Sequence, residues 1–255
     1  MPLVLEDRSN GVLTVTLNRP ERRNGITGPL VEELLGVLRR AGADDSLRVA
    51  VLQGAGGAFC SGMDLAEKVR PDELTFMRRV ASLCGELREL PMPTVAKVSG
   101  PAVGFGANLA LCCDLVLAAD DAVFGEVFSR LGLTLDGGGS WSLPRLVGLQ
   151  KAKEIAFFGE RLTGAQAAEL GMVNRAVPAA HLDEVVGSWA AQLAAGPKRS
   201  LATIKASLNS AYDRSFREAL DAETLSQALF FRSPEAKEGV RAHLERRDAD
   251  FRALD

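Results

Sequence analysis

The sequence predicts an α/β fold, layered with parallel strand pairings and followed by an all-helical C-terminal region. Three observations carry this. Short apolar runs alternate with helical periodicities through the first part of the chain. Glycine-rich turns close several of those runs. Beyond residue 180, four amphipathic segments succeed one another with no convincing strand between them.

The elements follow in order. Leu3–Leu5 and Val12–Leu17 are strands: VLTVTL alternates as a half-buried strand does, and Asn10-Gly11 supplies a two-residue hairpin turn. Residues 28–41 set Leu30, Leu34, Leu38 and Ala41 on one helical face. Val49–Leu52 is a short buried strand closed by Gly54, Gly56 and Gly57. A helix covers 72–89 and stops at Pro91 and Pro93, where the missing N–H ends the ladder. The strand TVAKV runs 94–98. GPAVGFGANLALCCD is a glycine-rich turn opening a helix, and DLVLA at 114–118 is the next strand. The C-terminal helices fall near 181–194, 198–211, 215–230 and 234–248. The expected organisation is therefore a core, 1–180, and a helical region, 181–255. Apolar stripes through Phe216, Leu220 and Phe231 are either core or a subunit contact.

Composition narrows the function. The 255 residues are 47% hydrophobic and 25% charged with a net charge of −3, enough for a full core and without the basic excess that nucleic acid requires. Aromatics, at 5%, are too scarce for base-stacking platforms. No apolar run is long enough to cross a bilayer, and MPLVLEDRSNG turns polar too early for a signal peptide. The expectation is a cytoplasmic protein whose Cys60, Cys84, Cys112 and Cys113 are reduced thiols. His181 and His243 are too few and too far apart for a metal site, and Cys112-Cys113 lacks metal-ligand spacing.

The familiar glycine motifs fail on spacing. GFGANL lacks the third glycine of a dinucleotide fingerprint, and the chain has neither a phosphate-binding P-loop nor a serine nucleophile elbow. Cys60 has no histidine nearby in sequence and reads as a packing residue. GGAFCSGMDL (56–65) and GPAVGFGANL (100–109) each follow a core strand, and ligands gather at strand ends in open α/β sheets. Side by side, two such turns could hold a carbonyl oxygen as an oxyanion with backbone N–H groups; equally, they could be tight turns and no more.

The longer motifs resemble a family. LNRPERRNGIT (17–27), GAFCSGMDL (57–65), GPAVGFGANLALCCDLVLA (100–118), LTGAQAAELGMVNRAV (162–177) and EGVRAHLERRDADF (238–251) are similar, in order and across the chain, to the enoyl-CoA hydratase/isomerase, or crotonase, family. The resemblance implies a spiral of ββα units with a helical C-terminal region that mediates trimers, often paired into hexamers. It implies a CoA thioester substrate and no separate cofactor. Two oxyanion N–H groups are expected from Met63 and Phe105. CoA is expected along Glu21, Arg22 and Arg23 and along Ser61, Gly62, Asp64 and Leu65. His243 and Arg246 match positions that reach CoA in a neighbouring subunit, and otherwise form a solvated helix face.

The chain departs from the family's hydratases at both of their glutamates. Asn108 stands at the first and Phe128 at the second; an amide is not a base, and a benzyl group exchanges no proton. Glu126 is two residues away and would share the face of Phe128 on an extended segment, or else be a surface or paired glutamate. Asp136, before Gly137, Gly138 and Gly139, is either a helix cap or, as the resemblance to the family's enoyl-CoA isomerases implies, the catalytic acid/base. Leu135 replaces their usual proline. Asn108 is expected to orient either Asp136 or the substrate. Double-bond migration needs one proton moved from C2 to C4, which one carboxylate can do, and Phe128 with an apolar lining should raise the Asp136 pKa. Asn108 and Phe128, within GANLAL and FSRLGL, resemble the enoyl-CoA isomerases of the phenylacetate-degradation type, and the resemblance thus points to Δ3-to-Δ2 enoyl-CoA isomerisation. The alternatives are hydration with non-standard residues, Asp136 as a nucleophile as in aryl-CoA dehalogenases, and an idle acyl-CoA-binding homologue.

Overall fold

The computed structural model describes residues 1–67 and 72–254. β1 (Val4–Ser9) and β2 (Val12–Leu17) pair antiparallel across Asn10 and Gly11, both left-handed, as the hairpin signal requires. β1 runs beyond Leu5 into polar Glu6–Ser9, because an edge strand is paired on one side only. β2, β3 (Val49–Gly54), β4 (Thr94–Val98), β6 (Leu115–Ala119) and β9 (Arg175–Val177) continue the sheet in that order, all parallel. A second sheet holds β5 (Pro101–Val103), β7 (Val123–Gly125) and β8 (Arg161–Thr163).

The repeating unit is visible in the connections. β4 of the large sheet leads directly to β5 of the small one and then to α3 (Phe105–Leu111); β6 leads to β7 in the same way. Cys60 bridges Ala102, so the glycine turn after β3 arrives at the same edge. Each turn of this ββα spiral therefore delivers one loop to one place.

Helices cover the large sheet. α1 (Gly28–Gly42) buries Leu30, Leu34, Leu35 and Leu38, each worth about 1.5–3 kcal/mol of transfer free energy, and packs on α2 (Glu73–Arg88). Asp72 caps α2 by accepting from Leu74 and Thr75 N–H. After β7 come α4 (Gly139–Val147), α5 (Leu149–Phe158) and, beyond β8, α6 (Gly164–Glu169).

Beyond residue 180 the chain is helical, with α7 (Leu182–Ala195), α8 (Lys198–Asn209), α9 (Phe216–Phe230) and α10 (Pro234–Glu245). α7 lies on the large sheet with Leu182, Val186, Ala190 and Ala194 buried, so packing with the core continues past residue 180. Buried Arg48 donates to the Ala194 and Gly196 carbonyls at 2.6 Å, satisfying the C-terminal end of α7. α8 is tied down by Lys205, whose buried ammonium meets Asp114 at 2.7 Å and the Met92 carbonyl at 3.0 Å. α9 buries no residue within its own chain.

Candidate active site

The 20–24 turn, the 60–65 turn, the start of α3 and the loop before α4 converge. Ser61 N–H donates to the Arg23 carbonyl at 2.9 Å, and its hydroxyl to the Arg22 carbonyl at 3.3 Å. Arg22 and Arg23 are exposed beside this junction. Gly62 has φ +93°, and a Cβ there would come within 2.7 Å of the Val103 carbonyl, so the turn can press against the β5–α3 connection only with glycine. Asp64 does not present its carboxylate to the cavity described next. It pairs with Arg19 at 2.9 Å and accepts from Ala66 N–H, and the Arg19 hydrogen bond holds its pKa below the usual range. Its part is to fix the turn.

The geometry frees two amides. Gly62 C=O and Asp64 N–H both bond Ile26, so the intervening Met63 N–H points to the other side. Phe105 is the first residue of α3, where the helix has no acceptor for its N–H. Both residues line a cavity of about 320 Å³, together with Ser61, Gly62, Leu65, Phe128, Leu135 and Asp136. Phe128 is buried with its ring set against Gly104. Asp136 is the only carboxylic residue lining this cavity among the described residues.

Asp136 caps nothing: α4 starts from Gly138, with no side-chain cap. Its Oδ1 is buried without a hydrogen-bond partner, and burial raises its pKa to about 6. Asn108 is fully buried behind it and donates from Nδ2 to the Asp136 main-chain carbonyl at 3.0 Å, so the amide orients the loop. A Cβ on Gly139 would fall 2.5 Å from the Asn108 amide, which is why the loop closes on glycine.

Glu126 departs from expectation. It is fully buried, it precedes a 3-10 turn and is not on an extended segment, and it does not line the cavity with Phe128. Asn108 Nδ2 donates to its Oε2 at 3.3 Å. The residue type gave no signal of this, because the contact with Asn108 of α3 joins residues 18 apart in sequence. Cys60 is buried with its thiol pushed up to about 12 by desolvation, as a packing residue. His243 lies on α10 and Arg246 at its left-handed C-terminal cap; neither lines the cavity of its own chain.

A larger cleft of about 1260 Å³ adjoins this cavity, sharing Met77, Leu135 and Asp136 with it and reaching α8 and α9. Met77, in the 66–80 segment from which acyl-group contacts are expected, lines both spaces, while 68–71 lie outside the described residues. Trp141 in the cleft wall is held between the guanidinium groups of Arg88 and Arg145, 4.3 and 4.0 Å from its ring centre. Among the described residues no group of three or more His, Cys, Asp or Glu could hold a metal ion, and no helix is long and apolar enough to cross a membrane.

Residues 7–253 match the enoyl-CoA hydratase/isomerase family model. The chain is 38% identical to a 1,2-epoxyphenylacetyl-CoA isomerase of Escherichia coli K12, over 98% of each protein. It is 36% identical to a "probable enoyl-CoA hydratase" of Rhodobacter capsulatus, over 95% of each. The crystal structure of an enoyl-CoA hydratase from Mycobacterium smegmatis superposes with a TM-score of 0.93 at 32% identity, covering 99% of this chain and 100% of that one.

Proposed function

Because the chain belongs to the enoyl-CoA hydratase/isomerase family, we propose that it moves the double bond of a 3-enoyl-CoA thioester to the 2 position, with Asp136 as the single acid/base. The observation that carries this is the placing of one unpartnered, part-buried carboxyl in the wall that also contains Met63 and Phe105.

In this reading the thioester oxygen rests between the Met63 and Phe105 N–H groups. Asp136 takes the proton from C2; the C–H electron pair forms a dienolate whose charge the two amides bear. Each such donor is worth about 2.7–4 kcal/mol to a transition state. The protonated Asp136 then returns the proton at C4, leaving the double bond between C2 and C3 and the carboxylate as it began. A pKa near 6 keeps the group ionised at neutral pH yet more basic than an exposed aspartate. Phe128, Leu131 and Leu133 line the cavity with apolar surface, which opposes an attacking water. Hydration needs a second group to hold that water, and Glu126 does not reach the cavity wall.

The remaining contacts extend the reading. Arg22 and Arg23 suit CoA phosphates, Ser61, Gly62 and Leu65 flank the thioester arm, and the larger cleft takes the acyl group. His243 and Arg246 would serve a neighbouring copy in a homotrimer or hexamer.

The test supplies a 3-enoyl-CoA and a 2-enoyl-CoA in parallel and separates the products by chromatography. The proposal expects the 3-enoyl ester to become the 2-enoyl ester without 3-hydroxyacyl-CoA. Hydration of the 2-enoyl ester as the main reaction overturns it, and so does tight binding of both esters without turnover.

A further inference from the structure

Two hydrogen bonds lead from the cavity wall into the core and end on a carboxyl group that the proton transfer does not use. Asn108 Nδ2 donates to the Asp136 carbonyl at 3.0 Å and to Glu126 Oε2 at 3.3 Å. Asn108 and Glu126 are both wholly inaccessible. The amide thereby spends both its hydrogens, and Asn108 Oδ1, Glu126 Oε1 and Asp136 Oδ1 stay buried without a partner. The cluster is short of donors. A proton on Glu126 turns one stranded acceptor into a donor and removes a buried charge that no cation among the described residues balances.

We propose that Glu126 is a positioning residue for the reaction: as a neutral carboxylic acid it fixes the Asn108 amide, and the amide holds the Asp136 loop at the cavity. The inference rests on Asp136 being the base. Burial, opposed by the Asn108 hydrogen bond and aided by the charge of Asp136, raises the Glu126 carboxyl to about 8, so the neutral form prevails at pH 7. Among the described residues the groups near the pair are few. Asn108 comes from α3 and is neutral; the Cys60 thiol is pushed up chiefly by burial and the Cys84 thiol chiefly by its hydrogen bond with Cys112, the Asp136 charge adding a smaller push to each. Arg161 on β8 runs along Gly125 but is exposed, and Arg130 turns away to the Phe158 carbonyl. Once Glu126 ionises, a second negative charge stands beside Asp136 and opposes the dienolate. kcat/KM should therefore rise through about pH 6 and fall through about pH 8.

The experiment is the pH dependence of kcat/KM, which reports the groups of the free enzyme, for 3-enoyl-CoA isomerisation in wild type, E126Q and D136N. For wild type, kcat/KM at pH 9 is expected about ten-fold below its value at pH 7, as one ionisation near 8 requires. Glutamine can still accept from Asn108 but cannot ionise, so E126Q is expected to keep the rising limb and lose the falling one. An E126Q profile that falls like wild type overturns the proposal, since a structural role alone would scale the whole curve. D136N separates the two readings: its full activity refutes Asp136 as base, whereas an inactive D136N beside an unaltered E126Q profile refutes only Glu126. Infrared titration of wild type gives a check that needs no variant. A protonated-carboxyl C=O band at pH 7 that vanishes by pH 9.5 is expected, and absence of that band at pH 7 also overturns the proposal.

Discussion

Burial in a wall of leucine and phenylalanine makes Asp136 basic, and the same burial opposes folding whenever the group is charged. The folded chain binds this proton more tightly than the unfolded chain. The contribution of Asp136 to stability is thus greatest below about pH 4 and is lost as pH rises through about 6. Allowing for its partial exposure, the penalty at pH 8 is on the order of 2 kcal/mol. Asp136→Asn removes it, so this variant should melt above wild type at pH 8, and the gap should close near pH 4. Equal melting temperatures at pH 8 would show that the carboxyl is not strained by its surroundings. The proposed oxyanion donors lie at the other extreme: Met63 and Phe105 would contribute only main-chain N–H groups, a role that two unrelated side chains could share.

Among the elements, legibility followed length and periodicity. α1, α2 and the four C-terminal helices carry enough turns for an apolar stripe to declare itself, and β2, β3 and β4 enough apolar residues to read as strands. β5, β7, β8 and β9 are three residues each, too short for any period, and they exist because neighbouring strands offer hydrogen bonds. The positions of Asp136, Met63, Phe105 and Asn108 were readable because contiguous motifs carry them. The burial of Glu126 was not, since its partner Asn108 lies on α3, 18 residues away in sequence. Asp64, expected along CoA from its motif, has its carboxylate paired with Arg19 of a different turn, a contact the motif does not show. In each of these cases the missing information is a tertiary contact.

For the molecule as a whole, α9 with its flanking residues is the unfinished part. Phe216, Leu225, Leu229 and Phe231 are each at least 70% exposed, a larger apolar display than a solitary soluble chain carries without purpose. The proposed trimer would cover it. Light scattering should give a mass of three or six chains of 27.1 kDa, and Leu225→Glu should lower it; a monomeric wild type would contradict this. The central claim is narrower and needs one site. Wild type and Asp136→Asn should be compared on a 3-enoyl-CoA, with affinity for a saturated acyl-CoA measured separately by calorimetry. The account predicts that the variant loses isomerisation by at least about 100-fold, the lower range for a general acid–base group, while binding changes little. Full isomerisation by Asp136→Asn would contradict it.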